Sequence, residues 1–175
     1  MSELCRFLSR EIYGEIAQFR LDNAAERGTK IHKACEVLDK YGTVEVENDI
    51  LPYIQAYIKF RKEHNAKWDK IEFPASHPTL QYAGTIDRYG MVDGAPTILD
   101  IKSSYAVHKP LCLAQLNLYR LLLEAAGMKV ERLYILHLKP DGTYKPIPFD
   151  ISDDVPNALL TLHNMMKKKR RKKAT

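Results

Sequence analysis

Three side chains in the stretch from Gly84 to Ser104, GTIDRYGMVDGAPTILDIKSS, have the types and spacing that chemistry on a charged substrate needs. Asp87 follows Gly84-Thr85-Ile86, and Asp100 and Lys102 stand two apart in Thr97-Ile98-Leu99-Asp100-Ile101-Lys102. The spacing predicts two strands joined by a glycine-containing turn, each with an acid near its end. Side chains alternate along a strand, so Asp100 and Lys102 share one face and Leu99 and Ile101 take the other. A hairpin then brings Asp87 beside the pair. Two carboxylates and one ammonium on one patch suit a hard cation such as Mg²⁺, with the amine placed to orient or activate a water. The same pattern describes a satisfied ion pair on a strand. Two features weigh toward a site: the chain has no second Asp-x-Lys or Glu-x-Lys, and this one sits in an apolar run where charge is costly to bury.

The surrounding segments must position these groups. Leu4, Phe7, Leu8, Ile12, Ile16 and Phe19 recur at three- and four-residue intervals and predict a helix over residues 3–26. A second helix, from Gly28 to about Tyr41, has its stripe at Ile31, Ala34, Cys35 and Leu38. It carries His32 and Glu36 four apart on one face. Taken alone, His32 reads equally as a histidine packed at a helix margin. Residues 48–65 read as a further helix, with Asp49 as cap and Pro52 in its first turn. Strands are expected at Trp68–Phe73 and Leu80–Tyr89, the first carrying Glu72, which is a surface glutamate or a neighbour of the site. After the Asp100 strand come Ser103 and Ser104, a loop with His108 and Lys109, and a helix from Leu111 to Gly127. Gln115 and Tyr119 lie four apart on that helix. Strands at Lys129–Leu138 and Tyr144–Ile151, joined by the turn Lys139-Pro140-Asp141-Gly142, and a helix at Asp153–Met166 complete the order. That order implies an α/β (α+β) fold, a central mixed sheet of about five strands flanked by helices.

The pattern Gly84-x-x-Asp87, a spacer, then Asp100-x-Lys102 on the next strand resembles the PD-(D/E)XK nuclease superfamily, in particular its RecB-like and phage-exonuclease branch. Two further elements of that branch are matched: Gly28-Thr29-Lys30-Ile31-His32 with Glu36 after it, and Gln115-Leu116-Asn117-Leu118-Tyr119. The resemblance implies a restriction-endonuclease-like core in one domain over residues 1–166. It implies catalysis by Asp87, Asp100 and Lys102, with one or two Mg²⁺ or Mn²⁺ ions held by His32, Asp87, Asp100 and the Ile101 carbonyl. Glu36 and Glu72 are lesser candidates, and Gln115, Tyr119, Ser103 and Ser104 would hold the DNA strand. The implied function is a metal-dependent DNA exonuclease of phage-type recombination, replication or repair. A structure-specific or restriction-type endonuclease is the near alternative, and a non-catalytic nucleic-acid-binding module the distant one. DNA is the expected partner, and phage relatives also work beside a single-strand annealing protein. Some relatives hold an iron–sulfur cluster with one early and three late cysteines. Cys5, Cys35 and Cys112 are the only cysteines here, so no cluster is expected.

Composition sets the bounds. The 175 residues are 45% hydrophobic and 28% charged, ordinary for a globular domain. No apolar run approaches the roughly 18 residues of a membrane span. The first residues are charged throughout and lack a signal-peptide apolar block, so a cytoplasmic protein of a bacterial or phage-infected cell is expected. The net charge of +5 is concentrated: residues 167–173 are seven consecutive cations, and without them 20 basic residues face 22 acidic ones. This run is expected to be disordered and to serve as a DNA-binding arm, with a nuclear-localisation-like patch or a solubilising end as alternatives.

Overall fold

The computed structural model describes residues 18–173, with side chains over 24–165. The predicted stripe from Leu4 to Ile16, and Cys5, lie outside them. Four helices and five strands follow in the order α1 (Gln18–Tyr41), α2 (Leu51–Glu63), β1 (Lys67–Ser76), β2 (Ala83–Val92), β3 (Ala95–Lys102), α3 (Lys109–Ala125), β4 (Arg132–Leu138), β5 (Tyr144–Phe149) and α4 (Asp154–Lys173). The strands form one mixed sheet in sequence order. Neighbours pair antiparallel except β3 and β4, which are parallel and joined through α3. The expected fold class is therefore the observed one.

Alternation along β3 and β4 divides the interior into two cores. Leu99, Ile101, Leu136 and Leu138 pack with Ile31, Cys35 and Leu38 of α1 and with Tyr53, Tyr57 and Phe60 of α2. Ile98, Leu133 and Ile135 point the other way, into Cys112, Leu116, Leu122 and Leu123 of α3 and Leu160 of α4. Burying Leu or Ile side chains to this degree stabilises the fold by about 1.5–3 kcal/mol each.

Several boundaries differ from the sequence expectation. Residues 18–41 form one helix, running unbroken through Gly28. A single glycine costs only about 1 kcal/mol within a helix, and the packing of Ile31, Ala34 and Cys35 outweighs it. Asp49 does not cap α2: the N-cap is Ile50, with no side-chain bond, and Pro52 does occupy the first turn. Strand β2 begins at Ala83, because His77 Nδ1 accepts the Thr79 and Leu80 amides at 3.3 and 3.2 Å and makes residues 77–82 a turn. The turn at Lys139–Gly142 forms as expected, with Gly142 at φ +76 and its N–H bonded to the Lys139 carbonyl. Helix α4 runs to Lys173, through the cations expected to be disordered. Lys and Arg are good helix formers, and extending an existing helix needs no new nucleus.

One glycine is fixed by close approach. Strand β1 has a bulge at Trp68–Lys70 opposite Gly90, and a Cβ on Gly90 would lie 2.1 Å from the Lys67 carbonyl oxygen and 2.8 Å from Trp68 Cα. Both are backbone atoms, so no side chain can yield. Gly90→Ala is expected to cost about 3 kcal/mol or more, read by chemical denaturation; a change under about 0.5 kcal/mol would show that the bulge relaxes freely.

Candidate metal centre

The site forms where the β2–β3 ladder stops. Pairing runs from Val92–Ala95 to Arg88–Leu99 and goes no further. Asp87 is the next residue, and its Oδ2 accepts the Ile101 N–H at 2.9 Å, in place of a backbone partner. Alternation also breaks here. Ile86 packs in the α3–α4 core, yet Arg88, two residues on, reaches Asp39 of α1 and Tyr57 of α2. On β1 the residue opposite Asp87 is Glu72, between the pairs Ile71–Arg88 and Phe73–Ile86, and it has φ +47. A left-handed backbone at a non-glycine residue within a strand costs about 1–3 kcal/mol, strain that concentrates at functional sites. Both carboxylates are thereby turned into the seam.

Helix α1 brings His32 onto them. His32 Nδ1 lies 3.4 Å from Asp87 Oδ2 and 3.8 Å from Glu72 Oε1. Its Nε2 is 2.9 Å from the Ile101 carbonyl oxygen, which fixes the ring. Ligand atoms of His32, Glu72 and Asp87 all fall within 4.8 Å of one another, close enough together to hold a metal ion. Ile101 thus uses its N–H on Asp87 and its carbonyl on His32.

Asp100 stands beside this trio. It is 1% exposed; its Oδ2 is 2.6 Å from Lys102 Nζ and its Oδ1 accepts from Gln115 Nε2 at 2.9 Å. Gln115 also donates to the Tyr119 hydroxyl at 3.0 Å and places Oε1 3.5 Å from Lys102 Nζ. The predicted common face of Asp100 and Lys102 is confirmed: they point toward α3 while Leu99 and Ile101 enter the other core.

Electrostatics mark the seam as short of positive charge. Burial, then the charge of Asp100, pushes the Asp87 carboxyl up to about 7. Burial opposes protonation of His32, but the nearby Glu72 carboxylate and the charges of Asp87 and Asp100 outweigh it, raising the imidazole to about 9. Burial opposes the Lys102 ammonium too, and Asp100 and Asp87 nevertheless hold it well above the usual lysine value. For Glu72, His32 and Arg88 outweigh burial and lower the carboxyl. Protons and cations are drawn to one point, as a divalent ion would be, and the donor set of two carboxylates and an imidazole fits Mn²⁺ or Mg²⁺.

The other expected residues are placed unevenly. A cleft of about 470 Å³ opens onto the site, lined by His32, Glu36, Glu72, Ile101, Lys102, Ser103 and Ser104 among others. Ser104 Oγ is turned to the Ala106 carbonyl. Glu36 lies in the cleft wall but is bound by Lys40 and Lys33, which hold its carboxyl down near 2. Tyr119 instead lines a neighbouring groove with Pro74–Ser76 and Ala83–Thr85. Cys35 and Cys112 are buried in opposite cores.

Sequence reasoning passed over Arg88, Asp39 and Tyr57. Arg88 is fully buried and donates from Nη1 to Glu72 Oε1 at 3.0 Å and to the Asp87 carbonyl at 2.6 Å. The one available signal was an arginine directly after Asp87 in a strand otherwise made to be buried.

No helix among the described residues is long and apolar enough to cross a membrane. No family model matches the sequence, and no curated protein matches it.

Proposed function

We propose that this chain is a metal-dependent deoxyribonuclease of the PD-(D/E)XK kind, cutting phosphodiester bonds as an exonuclease in recombination, replication or repair. The observation that carries the reading is the Asp100–Lys102 pair set against the His32, Glu72 and Asp87 donors, with His32, Glu72 and Lys102 lining one cleft. An ion pair alone would need no imidazole and no strained glutamate beside it.

The roles follow from position. His32, Glu72 and Asp87 would hold a Mg²⁺ or Mn²⁺ ion, with Asp100 beside them, held by Lys102 and Gln115. Such an ion supplies Lewis acidity toward a phosphoryl oxygen and toward water. Lys102, 30% exposed toward the cleft, offsets charge that develops on the phosphate and orients the attacking water by hydrogen bonding. Gln115 holds Asp100 and faces Lys102, fixing both. Ser103, in the cleft wall, offers a hydroxyl to the phosphate backbone. The cations of residues 167–173 add the sequence-independent attraction that a net-acidic body lacks. DNA is the partner; a single-strand annealing protein would be a second one.

The test is degradation of end-labelled linear DNA with Mn²⁺ or Mg²⁺ by the parent, Asp100→Ala and Lys102→Ala, with closed circular DNA alongside. Both variants are expected to lose activity by about 100-fold or more, and the circle to be spared. Activity within about threefold of the parent in both variants would overturn the catalytic roles. Cutting of the circle would make it an endonuclease, and binding of DNA without any cleavage would leave a binding module.

A further inference from the structure

We propose that Arg88 and Asp39 are positioning residues for the metal centre: the buried guanidinium holds the Glu72 carboxylate against His32 and ties it to helices α1 and α2. This rests on the reading of His32, Glu72 and Asp87 as ion ligands.

Arg88 is fully buried, and Asp39 has a side chain 1% exposed. Their contact, Nε to Oδ2, is 2.6 Å. Asp39 also accepts from the Tyr57 hydroxyl at 2.7 Å and pairs with Arg61 at 2.9 Å. A buried ion pair gains little over apolar side chains of the same volume, so stability alone does not explain it. Geometry does. Nε is anchored on Asp39 and Tyr57, so the fork is fixed in angle, and Nη1 is left to grip Glu72 Oε1 and the Asp87 carbonyl. Those are the two residues at which β1 and β2 break their regular course. The bond to Glu72 offsets part of the strain at φ +47. Without it, Glu72 has no reason to keep the backbone that aims its carboxylate at His32. Outer partners of this kind set the affinity of a site they never touch.

The network contains its own reporter. Trp68, the only tryptophan in the chain, donates from Nε1 to the Tyr57 hydroxyl at 2.9 Å. Loading an ion on Glu72 shifts the pull on Arg88, and through Tyr57 the environment of the indole.

The experiment is calorimetric titration of the full chain with MnCl₂, with tryptophan emission recorded in parallel, for the parent, Asp39→Asn and Tyr57→Phe. The parent is expected to show saturable heat and an emission change with the same midpoint. Asp39→Asn is expected to weaken Mn²⁺ binding by about 10-fold or more. Tyr57→Phe removes one hydroxyl and keeps the ring; it should fold even if Asp39→Asn does not, weaken binding by about threefold, and lose the emission change. Circular dichroism separates lost affinity from lost fold. Folded variants that bind Mn²⁺ as the parent does would overturn the positioning role and leave the metal centre standing. A parent that gives no saturable heat would overturn both.

Discussion

Asp87→Asn is expected to stabilise the ion-free protein at pH 8 while abolishing ion binding at the seam. The two effects have one origin. Asp87 sits 7% exposed between strands, and burial together with the Asp100 charge raises its carboxyl from 3.8 to about 7. A raised folded value means stability fully present below the unfolded pKa of 3.8 and lost as pH rises through about 7. At pH 8 the parent therefore carries an ionised carboxylate its surroundings disfavour. Asparagine keeps an oxygen that can accept the Ile101 N–H and drops the charge. It also drops the attraction to His32, which takes back part of the gain. The net expectation is about 2 kcal/mol, or a melting temperature higher by roughly 5 °C at pH 8. The difference should shrink toward pH 5, where the parent is itself protonated. Activity that needs the ion should fall by about 10³-fold or more. Thermal unfolding at both pH values, with chelator, reads the first effect and a Mn²⁺ titration the second. A variant less stable than the parent at both pH values would show that Asp87 is a structural acceptor, satisfied as it stands.

Much of this site was legible in the residues, for a physical reason. Alternation is a strict constraint, so Asp100 and Lys102 had to share a face once Leu99 and Ile101 were given to a core. A helical repeat similarly fixed Gln115 and Tyr119 on one side of α3, and their hydrogen bond bears that out. What the sequence concealed are the places where periodicity fails. Nothing in Lys70-Ile71-Glu72-Phe73 announces a left-handed residue, and nothing in Ile86-Asp87-Arg88 announces a break in alternation. Both arise from tertiary demand: a carboxylate filling a vacant ladder position and an arginine pulled into the α1–α2 side. For the same reason the strand pattern does not distinguish Glu72 from a surface glutamate. The strand period gave it an indifferent surface, while the dislocation carries it to His32. Glu36, a lesser candidate by helical spacing, stands in the cleft wall with Lys33 and Lys40 on its carboxylate, which the spacing alone does not reveal.

Ion affinity at the seam is expected to depend steeply on pH. His32 is raised to about 9 and Asp87 to about 7, so both bind protons more tightly folded than unfolded. His32 contributes stability that is full below its unfolded value of 6.5 and lost as pH rises through about 9; Asp87 loses its share earlier, through about 7. Glu72 works the other way: its lowered carboxyl contributes above 4.5 and is lost as pH falls below that. The ion-free protein is therefore most stable in mildly acidic solution and weakens toward pH 9. An ion must displace both protons. Between pH 8 and 6 the protons on the His32–Asp87 pair compete with the ion together, so Kd should rise by about 10-fold or more. Titrations in buffers of different ionisation enthalpy count the protons directly, and more are expected to be released at pH 6 than at pH 8. The stabilisation by a fixed Mn²⁺ concentration grows with pH accordingly, reversing the ion-free trend. An affinity unchanged from pH 6 to 8, with no proton released, would mean that the ion binds elsewhere and that His32 and Asp87 are partners only of each other.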